Sequence, residues 1–203
     1  MLTVSAKQKS NIPMLDADTY PARCVSLIDT GDQFNEMSGR LQRQIILMFE
    51  LPTEFVEVDG EKKPRFMSIT YTLSLSDKAK LRQVLETWRG KSFTEQELKG
   101  FDMRTIVGAP CMLSVVHKQS KNGNTYANIG GITKPMKGLE IPEAITPLTI
   151  FDLDAPDALA QIETLPDWIQ GRIKSSETYK NMTAKASEQQ GFMDINPDDL
   201  PFA

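Results

Sequence analysis

The sequence predicts a mainly β, α+β fold: five strands with one helix inserted after the third, closing into a barrel. Three observations predict it. From Arg65 to Ser76 the residues alternate almost strictly, with Met67, Ile69, Tyr71, Leu73 and Leu75 on one side and Phe66, Ser68, Thr70, Thr72 and Ser74 on the other, the period of a half-buried strand. The period then changes. Ser76 is a good N-cap, and Leu81, Val84, Leu85 and Trp88 follow at helical spacing before Gly90. Finally, Asn122-Gly123 separates two more strand-like runs, the strongest short hairpin signal.

Residues 1–19 are polar, with Pro13 and two Asp, and predict a flexible N-terminal arm. The first strand runs from Tyr20 to Asp29 and ends in the turn-like Asp29-Thr30-Gly31-Asp32. A loop from Gly31 to Arg40, carrying Phe34, leads to a second strand from Leu41 to Leu51, stopped by Pro52. The loop Thr53 to Pro64 leads to the third strand. After the helix that opens at Asp77, a second short helix is expected from Thr94 to Lys99, capped by Gly100, then strands from Ala109 to Lys118 and from Thr125 to Lys134. Gly130-Gly131 reads as a bend in the last strand. Three strands, a helix and two strands is the order of the OB-fold, a five-stranded Greek-key barrel with its helix between strands 3 and 4.

That domain is expected over 20–150. Residues 135–155, with Pro135, Pro142 and Pro147, should wrap it as an extended segment. A helical extension is expected over 151–175, as short helices interrupted by Pro166. Leu159, Ile162, Leu165, Trp168, Ile169 and Ile173 would form one apolar face docked on the barrel. Residues 176–203 then form a linker and an acidic tail.

Hydrophobic content of 40% over 203 residues supports a globular body. The chain shows no apolar run near 18 residues and no leader-like N-terminus, so a soluble, cytoplasmic protein is expected. Cys24 and Cys111 lie in apolar strand-like runs without metal-ligand spacing and read as buried thiols. The net charge of −4 is unevenly placed: residues 1–140 hold 19 Lys+Arg against 16 Asp+Glu, and residues 141–203 hold 4 against 11. A mildly basic body thus precedes an acidic end.

Enzyme chemistry has little footing. His117 is the only histidine and sits in a strand-like run with no nucleophile motif, and no phosphate-binding glycine loop is present. Asp152, Asp154 and Asp157 could hold a divalent ion, as a metal-dependent nuclease would require, but read more simply as a turn before a helix. No catalytic residue, cofactor or metal is assigned. An OB barrel binds ligands across strands 2 and 3 and at the loops joining strands 1 to 2 and 4 to 5. Those places hold Phe34, Arg40, Arg43, Arg65, Phe66, Lys118, Lys121 and Tyr126. Cations for phosphates and aromatic faces for bases are what single-strand binding needs. Phe49, Tyr71, Trp88 and Trp168 read as core.

The last residues carry an acidic and apolar peptide, Asp194-Ile195-Asn196-Pro197-Asp198-Asp199-Leu200-Pro201-Phe202, followed by Ala203. It resembles the acidic tip of bacterial and phage single-stranded DNA-binding proteins, where Pro-Phe is normally the end. The first strand Y-P-A-R-C-V-S-L-I-D, the helix start L-S-D-K-A-K-L-R and the last strand T-Y-A-N-I-G-G-I also resemble phage or prophage members of that family. The resemblance implies a protein that protects single-stranded DNA in replication, recombination or repair. It also implies that Asp194, Ile195, Asp198, Asp199, Leu200, Pro201 and Phe202 recruit partner proteins. The alternative is an adaptor of a replication or recombination complex that holds proteins alone. Either could form a homo-oligomer; neither involves a membrane.

Overall fold

The computed structural model describes residues 12–36, 38–58 and 60–193, with side chains as far as residue 185. The chain is mainly β. Its strands are β1 (Thr19–Asn35), β2 (Arg40–Val58), β3 (Glu61–Thr72), β4 (Pro110–Gln119), β5 (Thr125–Thr133) and β6 (Thr149–Phe151), and its helices α1 (Lys80–Arg89), α2 (Glu95–Lys99), α3 (Ala158–Ile162), α4 (Asp167–Lys174) and α5 (Glu177–Met193). The strands form one six-stranded sheet in the order β3-β2-β1-β4-β5, with β6 added to β1. β1 pairs antiparallel with β4 and β4 with β5, whereas β6 runs parallel to β1. The short connections from β1 to β2 and from β2 to β3 permit only antiparallel pairing. Among the described residues no helix is long and apolar enough to cross a membrane.

The chain divides into two compact units, Met1–Val25 with Met48–Ile69 and Val84–Leu148, and Ser26–Leu47 with Thr70–Gln83 and Thr149–Ala203. In the first, Cys24, Phe49, Leu51, Leu85, Trp88, Cys111, Leu113 and Ile132 are buried. Phe49 meets Trp88 at 5.7 Å in a tilted pair, and the Trp88 indole donates to the Pro110 carbonyl at 2.8 Å. Burial pushes the Cys111 thiol up, and both cysteines are buried thiols outside any disulfide, as expected. In the second unit, Ile28, Ile46, Leu47, Leu81, Leu153, Ile162, Ile169 and Ile173 are buried.

β3 keeps its alternation, with Met67 and Tyr71 buried and Phe66, Ser68 and Thr70 exposed. It ends at Thr72, short of the expected Ser76. α1 starts three residues later than expected, because Ala79 N–H closes a turn onto Ser76 O first. α2 has the capping box its sequence allows, with Thr94 and Glu97 bonded reciprocally. β5 bends where expected: Ser114 pairs with Gly131 and Val115 with Ile129, leaving Gly130 as the extra residue of a bulge. A Cβ at Gly130 would lie 2.9 Å from Val116 Cγ1.

Four expectations need correction. Residues 12–18 are not a free arm: Leu15 is buried, its carbonyl lies 2.7 Å from His117 Nε2, Asp18 O accepts from Val115 N–H at 2.7 Å, and Tyr20 Oη donates to Asp16 O. The loop expected at 31–40 is mostly strand, because Gly31 absorbs the irregularity within β1 at φ +73° while Asp29 Oδ1 accepts its N–H. The loop expected at 53–64 is a hairpin. β2 runs on through Pro52, whose fixed φ suits a strand and which lacks only a donor, and only Asp59 and Gly60 separate β2 from β3. The linker expected from 176 begins as α5, because the buried Ser176 hydroxyl caps Tyr179 N–H at 3.1 Å and helix-forming residues follow.

In the helical extension Ile162, Leu165, Ile169 and Ile173 are buried, but Leu159 and Trp168 are exposed, so Trp168 is not core. Polar contacts accompany this burial within the second unit. Arg172 Nη2 donates to Gln44 Oε1 at 2.5 Å, Gln33 Nε2 to Arg172 O at 2.9 Å, and Thr178 Oγ1 accepts from Asp32 N–H at 2.9 Å.

A Cβ at Gly31 would meet Ser176 Oγ at 2.8 Å and Leu153 Cδ2 at 2.9 Å, whereas at Gly39, also at positive φ, it would meet nothing. Gly31→Ala should therefore lower stability by about 1–3 kcal/mol more than Gly39→Ala, read as the difference in urea midpoint at unchanged m. Equal losses would mean that backbone strain alone matters at both sites.

Candidate nucleic-acid interface

Alternation forces one face of each hairpin outward once the other face is in the core. On the β1–β2 hairpin the outward aromatic is Phe34, 65% exposed, with Leu41 and Arg40 also exposed. On β3 it is Phe66, 41% exposed, and on β5 Tyr126, 44% exposed. Lys118 stands directly opposite Tyr126 in the β4–β5 register, a close cross-strand pair. Lys121 is exposed in the turn beyond it, where Ser120 N–H bonds to Asn124 O and Gly123 N–H to Ser120 O.

Two of the expected phosphate contacts are engaged within the protein. Arg43 donates to both carboxylate oxygens of Asp29 and makes an ion pair with Asp154 at 2.7 Å. The hydrogen bonds it donates to Asp29, more than any other influence, raise its pKa further. Arg65 donates to the Pro13 carbonyl, helping to hold the segment before β1. Arg40, Lys118 and Lys121 have no ion-pair partner among the described residues.

The β2–β3 hairpin adds residues that sequence reasoning missed by placing them in a loop. Lys62 Nζ lies 4.5 Å from the centroid of the Phe55 ring, a cation–π contact. Phe55 is itself exposed. Lys62 and Phe66 are four residues apart on β3 and so project from one face. The missed signal was Asp59-Gly60 between alternating residues, the same hairpin cue as Asn122-Gly123.

The acidic residues resolve as a turn with an ion pair. Asp29, Asp152 and Asp154 bring carboxylate oxygens within 4.8 Å of one another, while Asp157 stands at the N-cap position of α3 and accepts from Gln161 at 2.6 Å. Asp154 N–H donates to Asp152 Oδ1 at 3.0 Å, closing the turn. The positive charge that such a cluster needs is supplied by the Arg43 guanidinium. His117, whose Nε2 must donate to the Leu15 carbonyl, is a strand histidine with a structural bond. Phe49 and Tyr71 are core, and burial pushes the Tyr71 hydroxyl up to about 12. The tail residues Asp194, Ile195, Asp198, Asp199, Leu200, Pro201 and Phe202 lie outside the described residues.

Arg43→Ala strands the mostly buried Asp29 carboxylate, and should cost about 2–4 kcal/mol in chemical denaturation. Phe55→Ala and Phe66→Ala, at exposed positions, should stay within about 0.5 kcal/mol of the parent, while Phe49→Ala should lose about 3–5 kcal/mol. A Phe66→Ala loss matching that of Phe49→Ala would make Phe66 a packing residue. No family model and no curated protein matches this chain.

Proposed function

We propose that this chain is an OB-barrel protein that binds single-stranded DNA with little sequence preference. It would protect the strand in phage replication, recombination or repair and recruit partner proteins through its acidic C-terminal tail. The observation that carries this reading is the exposure of Phe34, Phe55, Phe66 and Tyr126 on strands or hairpins that also bear Arg40, Lys62, Lys118 and Lys121. A soluble domain gains nothing in stability from ring faces held in water. Such faces are what unpaired bases stack on, at about 1–3 kcal/mol per base, and the cations serve the phosphates between them.

The strand order supports the barrel. The neighbours β3-β2-β1-β4-β5, with α1 between β3 and β4, are those of an OB barrel opened at one seam. Closing it requires β3 to meet β5, a pairing not made among the described residues. Binding would be sequence-tolerant because every base has a π face.

The test is fluorescence anisotropy with labelled oligo-dT, a mixed single strand and a duplex of equal length, at two salt concentrations. The expected result is tight single-strand binding that weakens with salt, with little duplex affinity. Phe66→Ala, Phe55→Ala and Tyr126→Ala should each lose about 1–3 kcal/mol of binding. No binding to any of the three, even after removal of residues 194–203, would overturn the reading in favour of a protein-binding adaptor.

A further inference from the structure

In the second unit, the end of β3 and the approach to α1 border an open groove of about 370 Å³. Its walls include the hydroxyl and amide side chains of Thr70, Thr72 and Gln42, and its cations are Lys78 and Lys80. No carboxylate lines it. Asp77, the nearest acidic residue in sequence, is bound to Arg82, whereas Lys78 and Lys80 have no ion-pair partner among the described residues. Gln42 Oε1 accepts from Asn35 Nδ2 at 2.9 Å and, more weakly, from Thr72 Oγ1 at 3.4 Å. Its amide N–H groups are left without an acceptor among the described residues.

The charge placement is costly for folding alone. Lys80 is the first residue of α1, which has no acidic residue in its first turn, and a cation there opposes the helix dipole. Two lysines, an amide donor without an acceptor among the described residues and the Thr70 hydroxyl around one groove suit a tetrahedral, multiply accepting anion.

We infer that this groove takes a backbone phosphate of the bound single strand, with Lys78 and Lys80 as its counter-charges and Gln42 and Thr70 as hydrogen-bond donors. This rests on the proposed DNA binding and adds a phosphate subsite to it. It is an electrostatic subsite, so it contributes affinity and salt dependence but no sequence preference.

The experiment is oligo-dT binding by the full chain across a salt series, comparing the parent with Lys78→Gln/Lys80→Gln, Phe66→Ala and Lys137→Gln. Lys137 is an exposed lysine outside the groove. Each phosphate deprived of its lysine should reduce the slope of log K against log salt by about 0.7, and affinity at 0.1 M salt about fivefold. The double lysine variant should therefore bind more weakly with a shallower slope and a thermal melt no lower than the parent's. Phe66→Ala should lose affinity at unchanged slope, and Lys137→Gln should change neither. Parent-like affinity and slope in the double variant, with the parent still binding oligo-dT, would overturn the subsite and leave the DNA-binding reading standing. Failure of the parent to bind oligo-dT would overturn both.

Discussion

A carboxylate on a central strand has to be neutralised, and much of the second unit is arranged around doing so. Asp29 lies in the buried stretch of β1, where an unpaired charge would cost several kcal/mol. Arg43 on β2 answers it, and Asp154 in the turn after β6 shares the same guanidinium. A one-residue slip of β2 would turn Arg43 to the opposite face, so the ion pair pins the register of the β1–β2 hairpin. That register places Phe34 and Arg40 at its far end. It also sets Gln33 and Gln44, which hold α4 through Arg172.

A similar polar economy holds the extended segment after β5 in the first unit. Arg23 donates to the carbonyls of Gly108, Ile141 and Pro142 and pairs with Glu143. The fully buried Glu50 accepts the N–H groups of Ile145 and Thr146 at 2.7 and 2.9 Å. The segment is fastened by backbone groups as much as by apolar packing, which leaves Met136, Ile145 and Leu148 exposed without loosening it. Arg89 plays a third part of this kind. It pairs with Glu97 and lies over the rings of Phe93 and Phe101, themselves edge to face at 5.1 Å.

These internal uses of arginine sharpen the functional reading. Arg23, Arg43, Arg65 and Arg89 are bound within the protein, so the cations left for an anionic ligand are mainly lysines on hairpins and beside α1. Lysine is a compact point charge on a flexible stem, suited to a phosphate chain of no fixed sequence, whereas the arginine fork suits fixed carboxylate and carbonyl geometry. A modest set of free cations beside exposed rings favours a ligand held as much by stacking as by charge.

Local pattern alone determined the element types. The alternation at Phe66–Tyr71, the spacing of Leu81, Leu85 and Trp88, the Thr94 capping box and the Asn122-Gly123 hairpin each depend on neighbours within a few residues. The exposure of Phe66 followed from the same alternation, because the phase of a strand decides which face is wet, whereas Phe34, expected in a loop, is exposed on β1. Tertiary structure decided where strands ended and which cations were free. Gly31 and Pro52 look like breaks, but a strand continues past them when its partner and close packing continue. The β2–β3 hairpin, cued in the sequence by Asp59-Gly60, carries Phe55 and Lys62. Arg43 and Arg65 look like surface cations until Asp29, Asp154 and the Pro13 carbonyl meet them from distant parts of the chain. An ion pair between residues 14 or 111 positions apart leaves no local period to read; only the folded chain brings its charges together.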